Sequence, residues 1–118
     1  MDSFFKGEDF ELEMYWKDVS GDPLPPSTLV DYKVQVVFEF EPTSVKLIFA
    51  KTPGQDEKSI EVTDDSAGKL TLRFERDWSS AAKNGKYYLK VFRYYEDLDG
   101  IDDKHLEIIK VNGFNLID

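Results

Sequence analysis

Apolar and charged residues alternate strictly near the start of the chain. Phe10, Leu12, Met14 and Trp16 fall on one side of an extended backbone, and Asp9, Glu11, Glu13, Tyr15 and Lys17 fall on the other. A period of two marks a strand with one face in a core and one face in water. The segment Ser20-Gly21-Asp22-Pro23, followed by Pro25-Pro26, ends that pattern, so Asp18 to Leu29 reads as a loop.

The same period returns along the chain. Tyr32, Val34, Val36, Phe38 and Phe40 predict a second strand over 32–41, closed by Pro42. Val45, Leu47 and Phe49 predict a third, and Ile60 with Val62 a short fourth. The turn signals Pro53-Gly54-Gln55-Asp56 and Asp64-Asp65-Ser66-Ala67-Gly68 separate these, and the second turn feeds Leu70, Leu72 and Phe74 of a fifth strand. The segment DWSSAAKN, 77–84, lacks alternation and suggests one helical turn capped by Asp77. A sixth strand is expected over 86–95 and a seventh around 105–111. Residues 114–118 read as an eighth strand or a tail.

Seven or eight short strands with turn signals and no sustained helical period predict an all-β fold, an antiparallel β-sandwich. No internal repeat or linker divides the chain, so 118 residues are expected to form one domain. Nine Phe, six Tyr and two Trp supply bulky core material, and the absence of cysteine leaves stability to packing. The opening MDSFFKGEDF has no basic segment followed by an apolar run, and no stretch is apolar enough to span a bilayer. A soluble protein of the cytoplasm is the expectation, without membrane attachment.

Charge narrows the partners. With 24 acidic against 15 basic residues the net charge is −9, a field that repels phosphate backbones and excludes nucleic-acid binding through a general basic footprint. It favours protein partners that are basic. The carboxylates on the first strand read as the solvated face of an edge strand, where charge also discourages stray pairing.

Catalytic chemistry is hard to assemble from these residues. Ser79 or Ser80, the single histidine His105 and an aspartate could be drawn as a triad, but no spacing supports it and no nucleophile-elbow motif is present. No enzyme activity and no cofactor are expected. Asp97, Asp99, Asp102 and Asp103 surround Gly100 like part of a calcium loop. Placing Gly100 at the invariant glycine of an EF-hand puts Tyr95 first and Leu106 twelfth, where carboxylates are required, so only an irregular Ca²⁺ site could form there. A third feature concerns the sixth strand. If Tyr87, Leu89 and Val91 face the core, then Tyr88, Phe92 and Tyr94 form an outward aromatic stripe, the kind of surface that marks an interface.

Several segments resemble small virion proteins of phages and prophages. Gly7-Glu8-Asp9-Phe10 followed by Trp16-Lys17-Asp18 and Gly21-Asp22-Pro23 is similar to a "G-D-x-F" strand running into "W-x-D-x-x-G-x-P". Asp65-Ser66-Ala67-Gly68-Lys69-Leu70-Thr71-Leu72 resembles the "G-x-I-x-L" strand, and Trp78 with Gly85-Lys86-Tyr87-Tyr88-Leu89 resembles "L-x-x-G-x-Y-x-Y-D-L". The best-known relatives with this pattern are the N-terminal domains of tailed-phage baseplate upper proteins. Two departures stand out: Leu24 to Thr28 replaces the usual "D-L-T-G", and Tyr88 replaces an aspartate. The resemblance implies an immunoglobulin-like sandwich without catalytic residues. It implies docking in a tail, baseplate or neck assembly, other virion proteins as partners, symmetric self-association, and a virion location after synthesis in the cytoplasm. The alternative is a carbohydrate-binding sandwich using Trp78, Tyr88 and Tyr94, with calcium held in the loop 97–103.

Overall fold

The computed structural model describes residues 2–95 and 105–118. Its strands are β1 (Asp2–Phe5), β2 (Phe10–Tyr15), β3 (Asp31–Phe38), β4 (Val45–Ala50), β5 (Lys58–Ser59), β6 (Glu61–Asp64), β7 (Lys69–Phe74), β8 (Gly85–Tyr95) and β9 (His105–Ile117), with a short helix α1 (Arg76–Ala81). Six strands make one sheet in the order β1-β9-β8-β3-β4-β5, and three make the other in the order β2-β7-β6. This all-β sandwich has the immunoglobulin-type arrangement, in which the second, seventh and sixth strands face a sheet built on the ninth, eighth, third and fourth.

The alternation explains what is buried. Phe10, Leu12, Met14 and Trp16 lie in the core with Tyr32, Val34, Val36 and Phe38 of β3, Leu70, Leu72 and Phe74 of β7, and Tyr87, Leu89 and Val91 of β8. The outward residues of β2 find cross-strand cations instead: Arg73 meets Glu11 at 2.6 Å and Glu61 at 2.7 Å, and Lys69 meets Glu13 at 3.4 Å. β2 is an edge strand, and its carboxylates form ordinary exposed cross-strand pairs.

Several expected boundaries move. β3 stops at Phe38, and the Glu41 N–H to Phe38 carbonyl bond of 3.0 Å closes a turn that leaves Phe40 exposed. The expected fourth strand divides into β5 on the large sheet and β6 on the small one, and Val62 is exposed. Asp77 lies inside the first turn of α1 and does not cap it; the Asp9 carboxylate, far away in sequence, accepts the Arg76 N–H at 2.6 Å. Residues 114–117 are neither a separate strand nor a tail. They continue β9 past a bulge opposite Tyr87 and Tyr88. At that bulge a side chain on Gly113 would sit 2.5 Å from the Tyr87 carbonyl, which requires glycine. The sandwich is also not wholly antiparallel, since β1 pairs with β9, and β5 with β4, in parallel.

One end of the sandwich is filled by stacked rings. Phe4 lies on Phe10 at 4.2 Å between centroids, Phe10 on Phe74 at 4.6 Å, and Tyr87 on Phe114 at 5.0 Å. Tyr87 also donates its hydroxyl to the Lys83 carbonyl at 2.6 Å, the tyrosine-corner bond that fixes the link into the eighth strand of such sandwiches. Burial raises the pKa of this phenol. At the other end, Arg93 is buried. It bonds the Glu107 carboxylate and the Lys17 carbonyl, and its guanidinium lies 5.7 Å from the Trp16 ring centre. Arg93 occupies a core position that the alternation of β8 assigns correctly, although its charge gives no hint of it.

A candidate docking face on the large sheet

The register of β8 with its neighbours decides where the aromatic stripe lies. Directly paired residues share a face of the sheet. Tyr88 pairs with Val37 and Asn112, Lys90 with Gln35 and Lys110, Phe92 with Lys33 and Ile108, and Tyr94 with Asp31 and Leu106. Tyr87, Leu89 and Val91 are buried on the opposite face, so Tyr88, Phe92 and Tyr94 point away from the core, as the alternation requires. All three rings are half-buried. Among the described residues, the 18–29 loop and residues 114–117 are committed to the core: Phe114 and Leu116 are core residues of β9, and Leu24 and Leu29 belong to the core cluster.

The structure adds residues that the stripe alone did not indicate. Leu106 and Ile108 of β9 are 42% and 51% exposed and stand beside Tyr94 and Phe92, extending the aromatic stripe into a broad apolar surface. On the far side of β3, Val45 pairs with Val37, the neighbour of Tyr88, while Ile48 stands beside Gln35. The strand period of 105–111 contains Leu106 and Ile108, but only the pairing of β9 with β8 places them against the rings.

The charges on this face are chiefly lysines. The Lys110 ammonium lies over the Tyr88 ring at 4.3 Å and the Lys90 ammonium over the Phe92 ring at 5.5 Å, so a pair of lysines sits inside the stripe, against the faces of its rings. Lys33 is held by Glu57 at 3.5 Å, and Glu57, bonded by the Gly54 N–H and placed beside this lysine, has its pKa lowered. In a chain of net charge −9, an aromatic and aliphatic surface crossed by lysines stands apart from the rest.

Other sequence candidates take different places. Asp97, Asp99, Asp102 and Asp103 lie outside the described residues, as does the side chain of His105. Ser79 is fully buried and structural: its hydroxyl donates to the Glu8 carbonyl at 2.9 Å and accepts the Gly7 N–H at 3.1 Å, anchoring α1 to the turn before β2. Trp78 packs against Phe74 and Tyr87 and donates its indole N–H to the Lys46 carbonyl at 3.1 Å. Since Tyr87 and Tyr88 point to opposite faces of β8, Trp78 cannot join Tyr88 and Tyr94 in one flat sugar platform. Among the described residues, no helix is long and apolar enough to cross a membrane. Comparison with protein-family models, with curated proteins and with solved structures finds no match to this chain.

Proposed function

We propose that the chain is a non-enzymatic assembly module, a structural or adaptor part of a phage or prophage particle, that holds a neighbouring protein on the outer face of its larger sheet. The observation that carries this reading is the face itself: Tyr88, Phe92 and Tyr94 set beside Leu106 and Ile108, with Lys90 and Lys110 along the rings. Rings and aliphatic side chains at a surface offer large contact area at small entropic cost. The virion setting is supported by the resemblance of the strand and turn signals from Gly7 to Val111.

The lysines define the neighbour's chemistry. An apolar surface with Asp or Glu placed to meet Lys90 and Lys110 satisfies both parts of the face. Two copies placed face to face would oppose lysine to lysine, so self-association through this face would need a different surface on the second copy, as in a ring.

The test is photo-crosslinking from position 92 in the cells that make the protein, with the exposed position 63 on the opposite sheet as the control. A discrete protein adduct from position 92, absent from position 63 and lost in the Tyr88→Ser/Lys110→Glu variant, is expected. Equal labelling from both positions, or none from position 92, overturns the docking face. The adduct's identity as a virion or a cellular protein tests the setting separately.

A further inference from the structure

The two sheets are not joined along their whole length. β1 lies on β9 over residues 114–117 only, and among the described residues neither the rest of that edge of β9 nor the outer edge of β2 has a strand partner. A groove runs between the two bare edges. Its wider part, about 340 Å³, is floored by Leu12, Met14 and Leu89; its narrower part, about 130 Å³, reaches Val91 and Ile109, and Trp16 and Val111 line both.

Three features of this groove point to something that fits it. Val111 pairs directly with Leu89 and so faces the core side, yet it is 36% exposed while Leu89 is 1% exposed. The backbone on both rims offers unpaired edges. Trp16 is 5% exposed, and its indole N–H is buried without a hydrogen-bond partner. Buried donors are nearly always satisfied in folded proteins, so an orphan in the wall of an open apolar groove shows that the packing there is incomplete.

We propose that this groove is the seat of an added β-strand from a partner protein: an extended segment of about the six residues of β2, apolar at alternate positions and basic between them. Its apolar side chains would meet Met14, Leu89 and Val111, and its backbone would pair with the free edge of β2. Its outward side chains would stand beside Glu11 and Glu13, whose carboxylates pair with Arg73 and Lys69 of β7 on one side and are still about half exposed at 52% and 54%. That charge selects Lys or Arg on the added strand. It also disfavours the β2 edge of a second copy, which would set glutamate against glutamate. The groove uses the core side and the edges of the sheets and does not depend on the docking face described above.

The probe is the segment KVKVTVK, joined ahead of Asp2 through a flexible Gly-Ser linker so that binding is intramolecular. Asp2 lines the groove, which makes the geometry short. Amide exchange over residues 10–16 is expected to slow by about tenfold or more relative to the unfused chain, with the indole resonance of Trp16, which lines the groove, shifting and that of Trp78 unchanged. An EVEVTVE fusion should give little protection, and the exposed double variant Glu11→Lys/Glu13→Lys should reverse the preference. Val111→Arg should cancel the protection, and its melting temperature without the fusion reports whether it folds. Equal exchange in the two fusions and the unfused chain, or protection that Val111→Arg leaves intact, overturns the proposal.

Discussion

The two halves of β9 carry apolar residues on the same face of the same sheet, yet they meet different surroundings. Phe114 and Leu116 are fully buried, whereas Ile109 is half-buried and Val111 is exposed. The difference is β1. Its four residues lie along 114–117, and Phe4 stacks on Phe10 to close the seam between the sheets at that end. Past Asp2 nothing among the described residues continues this closure, and the seam opens at Trp16 and Val111. A sandwich core is therefore set by the edge strands as well as by the faces, because a face without cover at its edge leaves its inward side chains in contact with water.

The sharpest way to break the contrast is to remove one apolar side chain from each half. Phe114→Ala empties the centre of the ring stack and should cost about 3–5 kcal/mol in urea unfolding. Val111→Ala, on the same face but at the open end, should cost under about 1 kcal/mol. Equal costs would mean that the seam is closed in solution. Unsealing the closed end is the next test: Phe4→Ala should cost about 2 kcal/mol and speed amide exchange across 114–117. Unchanged exchange would show that β1 does not hold that end.

Single hydrogen bonds give smaller effects. Tyr87→Phe keeps the stacking on Phe114 but leaves the Lys83 carbonyl without its phenol, a loss of about 1 kcal/mol. Trp16→Phe leaves a smaller ring in the core beside Arg93 and should cost about 1–2 kcal/mol through that lost packing, with no hydrogen bond lost among the described residues. Trp78→Phe breaks the bond to the Lys46 carbonyl, worth about 1 kcal/mol beyond its ring. A Trp16→Phe cost well above about 2 kcal/mol would show that the Trp16 indole already has a partner in solution.

The smallest expected effect is the pH response of the turn after β3. Hydrogen bonds from Lys46 and Lys83 lower the Glu41 pKa from 4.5 to about 2. A depressed carboxylate pKa stabilises the fold above its unfolded value, and that contribution disappears as pH falls through the folded one. Amide protection around 38–46 should thus be level from neutral pH to about 4.5 and decline toward pH 2. Glu41→Gln should remove that part of the decline; its persistence would assign the transition to other carboxylates. Because Glu41 is exposed, added salt should weaken the effect.

The alternation along the chain determined most of the strands, the residues in the core and the outward direction of Tyr88, Phe92 and Tyr94. Each of those is a local property: a strand whose one face is apolar has only one way to point it. Strand ends were less legible. Phe40 continues the apolar period of β3, but a turn at Glu41 removes it from the sheet, and Ile60 stands between two strands that belong to different sheets. Asp77 carries a cap residue's chemistry, while Asp9, brought across the fold, bonds the helix N–H.

Pairing between distant segments was decided only in three dimensions. Which strands become neighbours set Leu106 and Ile108 beside the rings of β8, placed Arg93 and Glu107 together inside, and gave β9 its cover at one end and a bare edge at the other. Periodicity fixes the face on which a side chain lies. It carries no information about what crosses that face or lies along the strand's edge, because those contacts are made by residues dozens of positions away.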